Sequence, residues 1–216
     1  MDLFNTFITF FQSGGAFMYP IAAVLILGAA IAIERYTYLS LSAVRNRKAW
    51  NALMPLLRAG KVRDAIHAVE QSSASIAHIL GYGLGRIAGA RRREDIQMAM
   101  EEGLMEIIPR VEKRTHYLAT LANIATLLGL LGTIVGLIQA FTAVAQANPA
   151  EKADMLSASI SVAMNTTAFG LIVGIPLLLV HAVLQTKSTQ LIDNMEMATV
   201  KVVNLVTTER QRPEAA

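Results

Sequence analysis

Threonines are the residues in this sequence with the clearest potential for chemistry, because they lie inside long apolar segments. Thr133 is part of NIATLLGLLGTIVGLIQAF (residues 123–141), and Thr166 and Thr167 are part of SISVAMNTTAFGLIVGIPLLLVHAVL (residues 159–184). A hydroxyl group in apolar surroundings can bond a neighbouring helix, and Ser and Thr hydroxyls both donate and accept hydrogen bonds. If several copies of the chain assemble, threonines at similar depth could form a ring.

Small residues accompany these threonines at helical spacing. On a wheel of 100° per residue, small or hydroxyl-bearing side chains form one stripe on each segment. Small residues let membrane helices approach closely. The glycines predicted to serve this packing are Gly129, Gly132, Gly136, Gly170 and Gly174. From spacing alone, packing is favoured over pore lining for the threonines too, because a helical threonine often bonds its own i−4 carbonyl.

Composition indicates that these segments cross a membrane. The chain has 216 residues, of which 54% are hydrophobic and only 16% charged. The apolar residues are concentrated in three blocks, within residues 16–39, 116–146 and 157–184, each long enough to span a bilayer as a helix. The predicted fold class is therefore an all-α integral membrane protein with three transmembrane helices and long cytoplasmic extensions.

The distribution of Lys and Arg predicts the orientation of these helices. Nearly all basic residues lie in the long segment between the first two spans or after the third, which places those segments in the cytoplasm. The N-terminus is then periplasmic and the C-terminus cytoplasmic. The remaining segments are predicted as an interfacial amphipathic helix (1–15), a cytoplasmic helical domain (40–115), a periplasmic loop (147–156) and a cytoplasmic C-terminal helix and tail (185–216). A helix from Ile96 to Thr115 is predicted to continue without a break into the second span.

Several classes of function lack the residues they require. The chain has no cysteine, and neither a Ser/His pair at a helix-start elbow nor a charged residue within the apolar cores, so an enzyme is not expected. No cofactor or metal is expected. The basic run Arg91–Arg93 is interpreted as a solvated face or a contact with membrane lipid, not as a nucleic-acid site.

Two motifs resemble the paired signature of the ExbB/TolQ/MotA proton-channel family, and the chain is most similar to ExbB. They are LLGLLGTIVGLIQAF (127–141) and NTTAFGLIVGIPLLLV (165–180). The segment GGAFMYPIAAVLILGAAIAIERYTYL (14–39) also resembles the family's first span. The resemblance extends over nearly the whole chain.

The resemblance implies a specific assembly. Five subunits would form a homopentameric ring around two copies of a single-span partner of the ExbD/TolR/MotB type, which carries an intramembrane aspartate. Proton or sodium flow through that site would drive movement, and an ExbB-like member would energise TonB-dependent outer-membrane transport from the bacterial inner membrane. The family's pore threonines correspond to Thr133 and Thr167, and we include the adjacent Thr166 in the predicted ion pathway.

Two positions depart from the family pattern. Val162 stands where ExbB and TolQ proteins usually have glutamate, and Thr126 stands where many relatives have proline. Flagellar-stator relatives also lack this glutamate, so its absence does not exclude conduction. The alternatives to an ExbB-like subunit are a TolQ-like or flagellar-stator-like motor subunit and a non-conducting membrane scaffold, which Val162 favours.

Overall fold

The computed structural model describes residues 10–11, 14–87 and 92–211, with side chains as far as Thr207. Most of the predicted interfacial helix (1–15) and the last residues of the predicted tail (212–216) lie outside this part of the chain. The helices are α1 (Met18–Arg58), α2 (Val62–Glu70), α3 (Ser75–Arg86), α4 (Arg93–Glu112), α5 (Thr115–Gln146) and α6 (Lys152–Gln211).

The predicted all-helical class is confirmed, since the described residues contain no β-strand. Within the described ranges, three helical stretches are long and apolar enough to cross a membrane: Met18–Arg58, Arg93–Gln146, which comprises α4 and α5, and Lys152–Thr207. The sequence is compatible with these long helices. Pro20 lies in the first turn of α1, where no backbone donor is lost, and Asn148-Pro149 separates α5 from α6. The helices also continue through three internal prolines, Pro55, Pro109 and Pro176, each of which removes one backbone donor.

The expectation of one unbroken helix from Ile96 into the second span is wrong. Helix α4 ends at Glu112, α5 begins at Thr115, and Arg114 between them has φ of 64°. This left-handed conformation is uncommon for a residue with a side chain, and it ends the run of i→i−4 hydrogen bonds. Apolar periodicity continues across the break, which is why the sequence pattern did not reveal it.

The described residues form two compact units. The first unit comprises the chain up to Glu34 together with Arg114–Val183. Its core is built on close contacts: Leu177 occupies the space beside Gly28, and Phe169 packs edge-on against Phe11. Glu34 and Arg114 form an ion pair of 3.2 Å.

Large apolar side chains remain exposed on the first unit. They belong to α1, α5 and α6 and include Ile26, Leu127, Ile138, Phe141 and Ile172. Exposed apolar surface of this extent is typical of a helix that contacts lipid or other subunits.

The second unit comprises Arg35–Lys113 and Leu184–Ala216. Its helices α3 and α4 pack closely, with Met100 lying against Gly83 and Tyr82 against Gly103. Its largest fully buried side chains are mainly apolar and include Leu39, Leu53, Ile79, Leu80, Ile96 and Met100. This unit has a conventional apolar core, unlike the open apolar surface of α5 and α6.

Candidate functional site

Helices α5 and α6 come into close contact at a pair of glycines, Gly129 and Gly170. A methyl group added to Gly170 would lie 2.7 Å from the carbonyl oxygen of Ala125 and 3.0 Å from the α-carbon of Gly129. Both of those atoms belong to the backbone, so neither can move aside as a flexible side chain would. Only hydrogen fits at Gly170, and the two backbones therefore come into direct contact.

Three further glycines lie along the same line of contact. A methyl group added to Gly174 would lie 2.6 Å from the hydroxyl oxygen of Thr126, and one added to Gly136 would lie 3.1 Å from the β-carbon of Ala163. Gly132 lies directly against the side chain of Thr166. The contacts run in opposite directions along the two helices, as expected for an antiparallel pair.

Thr167 bridges the two helices. Its hydroxyl donates a hydrogen bond to the carbonyl oxygen of Gly129, with 2.9 Å between the heavy atoms. The group is only partly buried. Because its own proton is used by Gly129, the Thr167 oxygen keeps its lone pairs free to accept a further hydrogen bond.

Thr133 lies on α5 close to the same level. Its neighbour Gly132 contacts Thr166, so the antiparallel register brings Thr133 and Thr167 to similar positions along the helix axes. The Thr133 hydroxyl donates to the carbonyl oxygen of Leu130 at 2.6 Å and is exposed in the single chain. Like Thr167, it retains accepting lone pairs on an accessible oxygen.

Thr166 differs from the other two threonines. It is only 2% exposed, and its hydroxyl lies between two acceptors, the carbonyl oxygens of Gly14 at 2.6 Å and Val162 at 3.0 Å. The contact with Gly14 ties α6 to the segment before α1. The glycine pair at Gly14 and Gly15 was visible in the sequence as a chain break, but its role as an acceptor was not predicted.

Thr126 and Val162, the two residues that depart from the family pattern, differ in their contacts. The Thr126 hydroxyl donates to the Ala122 carbonyl at 3.1 Å, so it satisfies its polar group within its own helix. The Val162 side chain is 37% exposed. A residue at position 162 thus stays accessible near the Thr166 contact.

The neighbourhood of these threonines offers hydrogen bonds but no proton carrier. Residues 118–145 and 157–184 contain no Asp, Glu, Lys or Arg. Threonine does not ionise at neutral pH, so these hydroxyls can orient water or a protonated acid but cannot themselves gain and lose a proton. The imidazole of these two segments, His181, lies 14 residues along α6 from Thr167.

Residues 71–197, more than half of the chain, match the MotA/TolQ/ExbB proton channel family. The chain belongs to this family. The match includes all of α5 and residues 152–197 of α6, with Thr133 and Thr167, and its family is one of membrane proton channels.

Individual relatives agree with this membership. A protein of Methanothermobacter thermautotrophicus, named as an ExbB homologue in biopolymer transport, is 29% identical over 91% of this chain and 69% of its own length. An ExbB-like protein of Synechocystis sp. is 30% identical over 85% of this chain and 72% of its own. The Tol-Pal system protein TolQ of Haemophilus influenzae is 34% identical over 38% of this chain and 36% of its own.

Proposed function

We propose that the chain is the pore-forming stator subunit of an inner-membrane motor driven by the proton-motive force. In this proposal it is ExbB-like and energises TonB-dependent outer-membrane transport together with an ExbD-type partner. The observation that carries the proposal is the pair of accessible hydroxyls, Thr133 and Thr167, at one level of two glycine-packed antiparallel helices.

Each threonine has a distinct role in the proposal. Thr133 and Thr167 present oxygen lone pairs that accept a hydrogen bond from water or from the protonated aspartate of the partner. Thr166 supports the pathway by holding α6 to Gly14, since its hydroxyl is buried and already bonded. The glycines bring the helices close enough for Thr167 to bond the backbone of α5.

The proposed partner supplies the carboxyl group that residues 118–145 and 157–184 lack. A carboxyl group inside a membrane is costly and is kept where it moves charge. With the acid on a single-span ExbD/TolR/MotB-type partner, proton transfer would occur at the surface that Thr133 and Thr167 line. The proposed homopentameric ring, with its N-terminus periplasmic and C-terminus cytoplasmic, encloses this surface and turns the remaining apolar faces to lipid and neighbouring subunits.

The first experiment replaces each pathway hydroxyl by a methyl group of similar shape. Thr133→Val and Thr167→Val should each lower partner-dependent proton flux into liposomes by at least about tenfold, as expected when a hydrogen bond to a charged or transferring group is lost. Thr142→Val is the matched control, since the Thr142 hydroxyl is also exposed on α5 and bonds the Ile138 carbonyl at 2.9 Å. The control should retain wild-type flux, and all three variants should still co-purify with the partner. Wild-type flux from both Thr133→Val and Thr167→Val would rule out the proposed pathway.

A non-conducting scaffold is the second candidate, and Val162 is the feature that favours it. An ExbB or TolQ protein usually has glutamate there, and this chain presents an apolar, exposed side chain instead. The two functions differ in one measurement: a scaffold gives the same proton flux with and without the partner. A TolQ-like or flagellar-stator-like subunit would conduct in the same assay but would differ in the motor output that it restores in cells.

A further inference from the structure

The second unit contains a polar cavity of about 260 Å³ that the motor function does not use. Its walls come from α1, α4 and the segment that leads into α3. They include four serines and two arginines, Ser42, Ser72, Ser73, Ser75, Arg45 and Arg110, and no Asp or Glu of the described residues lines the cavity. A cavity rich in hydroxyl and guanidinium donors and free of carboxylates is suited to an anion.

The start of helix α3 opens at this cavity. Ala74 is the N-cap residue, and its methyl side chain cannot accept a hydrogen bond from the first N–H groups of the helix. Instead, the Asn46 carboxamide oxygen on α1 accepts a hydrogen bond from the Ile76 N–H at 3.2 Å. Among the described residues no acceptor is found for the N–H groups of Ser75 and Ala77. These donors carry the partial positive charge of a helix N-terminus.

Asn46 provides the independent sign that a ligand is missing. Its side chain lies between this cavity and an apolar cavity beside Trp50 and is only 6% exposed, and its amide nitrogen Nδ2 has no hydrogen-bond partner within the described part of the chain. Buried polar groups nearly always have a partner, so an orphaned donor at a donor-rich cavity indicates an absent acceptor. The Asn46 oxygen is already bonded to α3, which holds the carboxamide at the helix start.

Arg45 supplies the available positive charge. It is exposed, and no described carboxylate lies in ion-pair distance of it. Arg110, by contrast, pairs with Glu106, and His78 bonds the other carboxylate oxygen of Glu106 at 3.2 Å. The charge that draws an anion into the cavity therefore comes mainly from Arg45.

We propose that this cavity binds a phosphate-type anion. The anion would accept hydrogen bonds from the start of α3, the serine hydroxyls and Asn46 Nδ2, while Arg45 balances its charge. The phosphate could belong to an anionic phospholipid headgroup or to a soluble phosphate compound, and both present the same tetrahedral oxygens. This proposal goes beyond the motor function, because it involves neither Thr133 nor Thr167.

The test uses the full-length chain purified in a non-ionic detergent, with inorganic phosphate as the probe. Phosphate is titrated against chloride of equal ionic strength while the thermal unfolding midpoint is followed, since a ligand that binds the native state raises the midpoint. The wild-type midpoint should rise. In Arg45→Gln and in Asn46→Asp, the phosphate concentration that gives half of the rise in midpoint should be at least about tenfold higher than in the wild type. Each substitution removes a donor to the anion.

Two features of the variants separate ligand binding from folding. Asn46→Asp keeps an oxygen for the Ile76 N–H and places a negative charge at a helix N-terminus, so without phosphate it should melt no lower than the wild type. Arg47→Gln is the matched control: Arg47 lies on the same helix but lines a different, largely apolar cavity beside Trp50. This control should respond to phosphate as the wild type does.

A second arm distinguishes the source of the phosphate. The chain is placed in nanodiscs of phosphatidylglycerol or phosphatidylcholine, and the lipids that stay bound are counted by native mass spectrometry. A free-phosphate response that depends on Arg45 supports a soluble ligand. Retention of phosphatidylglycerol by the wild type and Arg47→Gln but not by Arg45→Gln, without a free-phosphate response, supports a headgroup. The proposal is overturned if Arg45→Gln and Arg47→Gln bind phosphate and phosphatidylglycerol equally well. It is also overturned if the wild type binds neither of them.

Discussion

At the residue scale, three threonines of α5 and α6 have the same side chain but different hydrogen-bond partners. The hydroxyl of Thr167 crosses to the other helix, that of Thr133 bonds its own helix, and that of Thr166 is buried against Gly14. Their roles therefore separate into two accessible acceptors and one tertiary link. A valine substitution consequently tests a different property at each position.

Thr166→Val should destabilise the first unit without acting on the proton pathway directly. The change keeps the shape but leaves the Gly14 carbonyl without its donor, so we expect a loss of about 1 kcal/mol in the free energy of unfolding. Titration with a denaturing detergent measures this value. Thr142→Val, which removes only a bond within its own helix, should change it by less than half as much. Equal losses in the two variants would contradict the assigned link to Gly14.

Glu106 on α4 should make part of the stability depend on acid pH. Hydrogen bonds from His78 and then Tyr82 lower the pKa of this carboxyl below its usual range, and the bond to Glu106 raises the pKa of Tyr82. Because the folded pKa of Glu106 is the lower one, its stabilisation is present above the unfolded pKa and is lost as pH falls through the folded value.

Glu106→Gln should therefore flatten the fall in unfolding midpoint between about pH 6 and about pH 3. Glu112→Gln, an exposed change on the same helix, is the control and should follow the wild-type curve. Thermal scans across this range make the comparison. An unchanged slope in Glu106→Gln would show that the bonds from His78 and Tyr82 do not favour the charged carboxylate.

At the scale of the elements, the α5–α6 contact depends on the absence of side chains. Gly170→Ala would place a methyl group within 2.7 Å of the Ala125 carbonyl oxygen, and backbone atoms must then shift. We expect a loss of about 1–3 kcal/mol in stability, the range typical of overpacked cores. Because Thr167 bonds Gly129 one turn away, the same variant should also reduce proton flux.

Gly85→Ala is the matched control for this change. Gly85 also lies inside a helix, α3, but nothing lies within 4 Å of a methyl group placed there. This substitution should leave stability unchanged or raise it by up to about 1 kcal/mol, because alanine restricts the unfolded chain more than glycine does. Titration of both variants with a denaturing detergent measures the change in the free energy of unfolding. A larger loss of stability in Gly85→Ala than in Gly170→Ala would exclude close backbone contact as the cause.

At the scale of the whole molecule, the apolar faces of α5 and α6 require further partners. Side chains such as Leu127, Ile138 and Phe141 are more than half exposed in the single chain. We expect native mass spectrometry in mild detergent to give a complex of five 23.3 kDa chains, with partner chains added on co-expression. Detergent-solubilised monomers under all conditions would contradict the proposed ring.

Much of the architecture was predictable because it depends on local composition. Residues 118–145 and 157–184 lack charges, and such segments must form helices in a bilayer, where every backbone donor needs an internal acceptor. The stripes of glycine and threonine were also predictable, because the spacing of residues along one helix determines which of them share a face. The helix break at Arg114 was not predictable, because a positive φ at arginine has no signature in apolar periodicity.

The sequence by itself determined the three apolar helical stretches, the absence of Asp, Glu, Lys and Arg from residues 118–145 and 157–184 and, through its paired motifs, the family. Only the tertiary structure decided which threonine is accessible and which is bonded to Gly14, and it alone brought Asn46 to the start of α3. The physical reason is the range of the interactions concerned. Helix formation and membrane partitioning depend on neighbouring residues, whereas the partner of a hydroxyl or carboxamide depends on chain segments far apart in sequence.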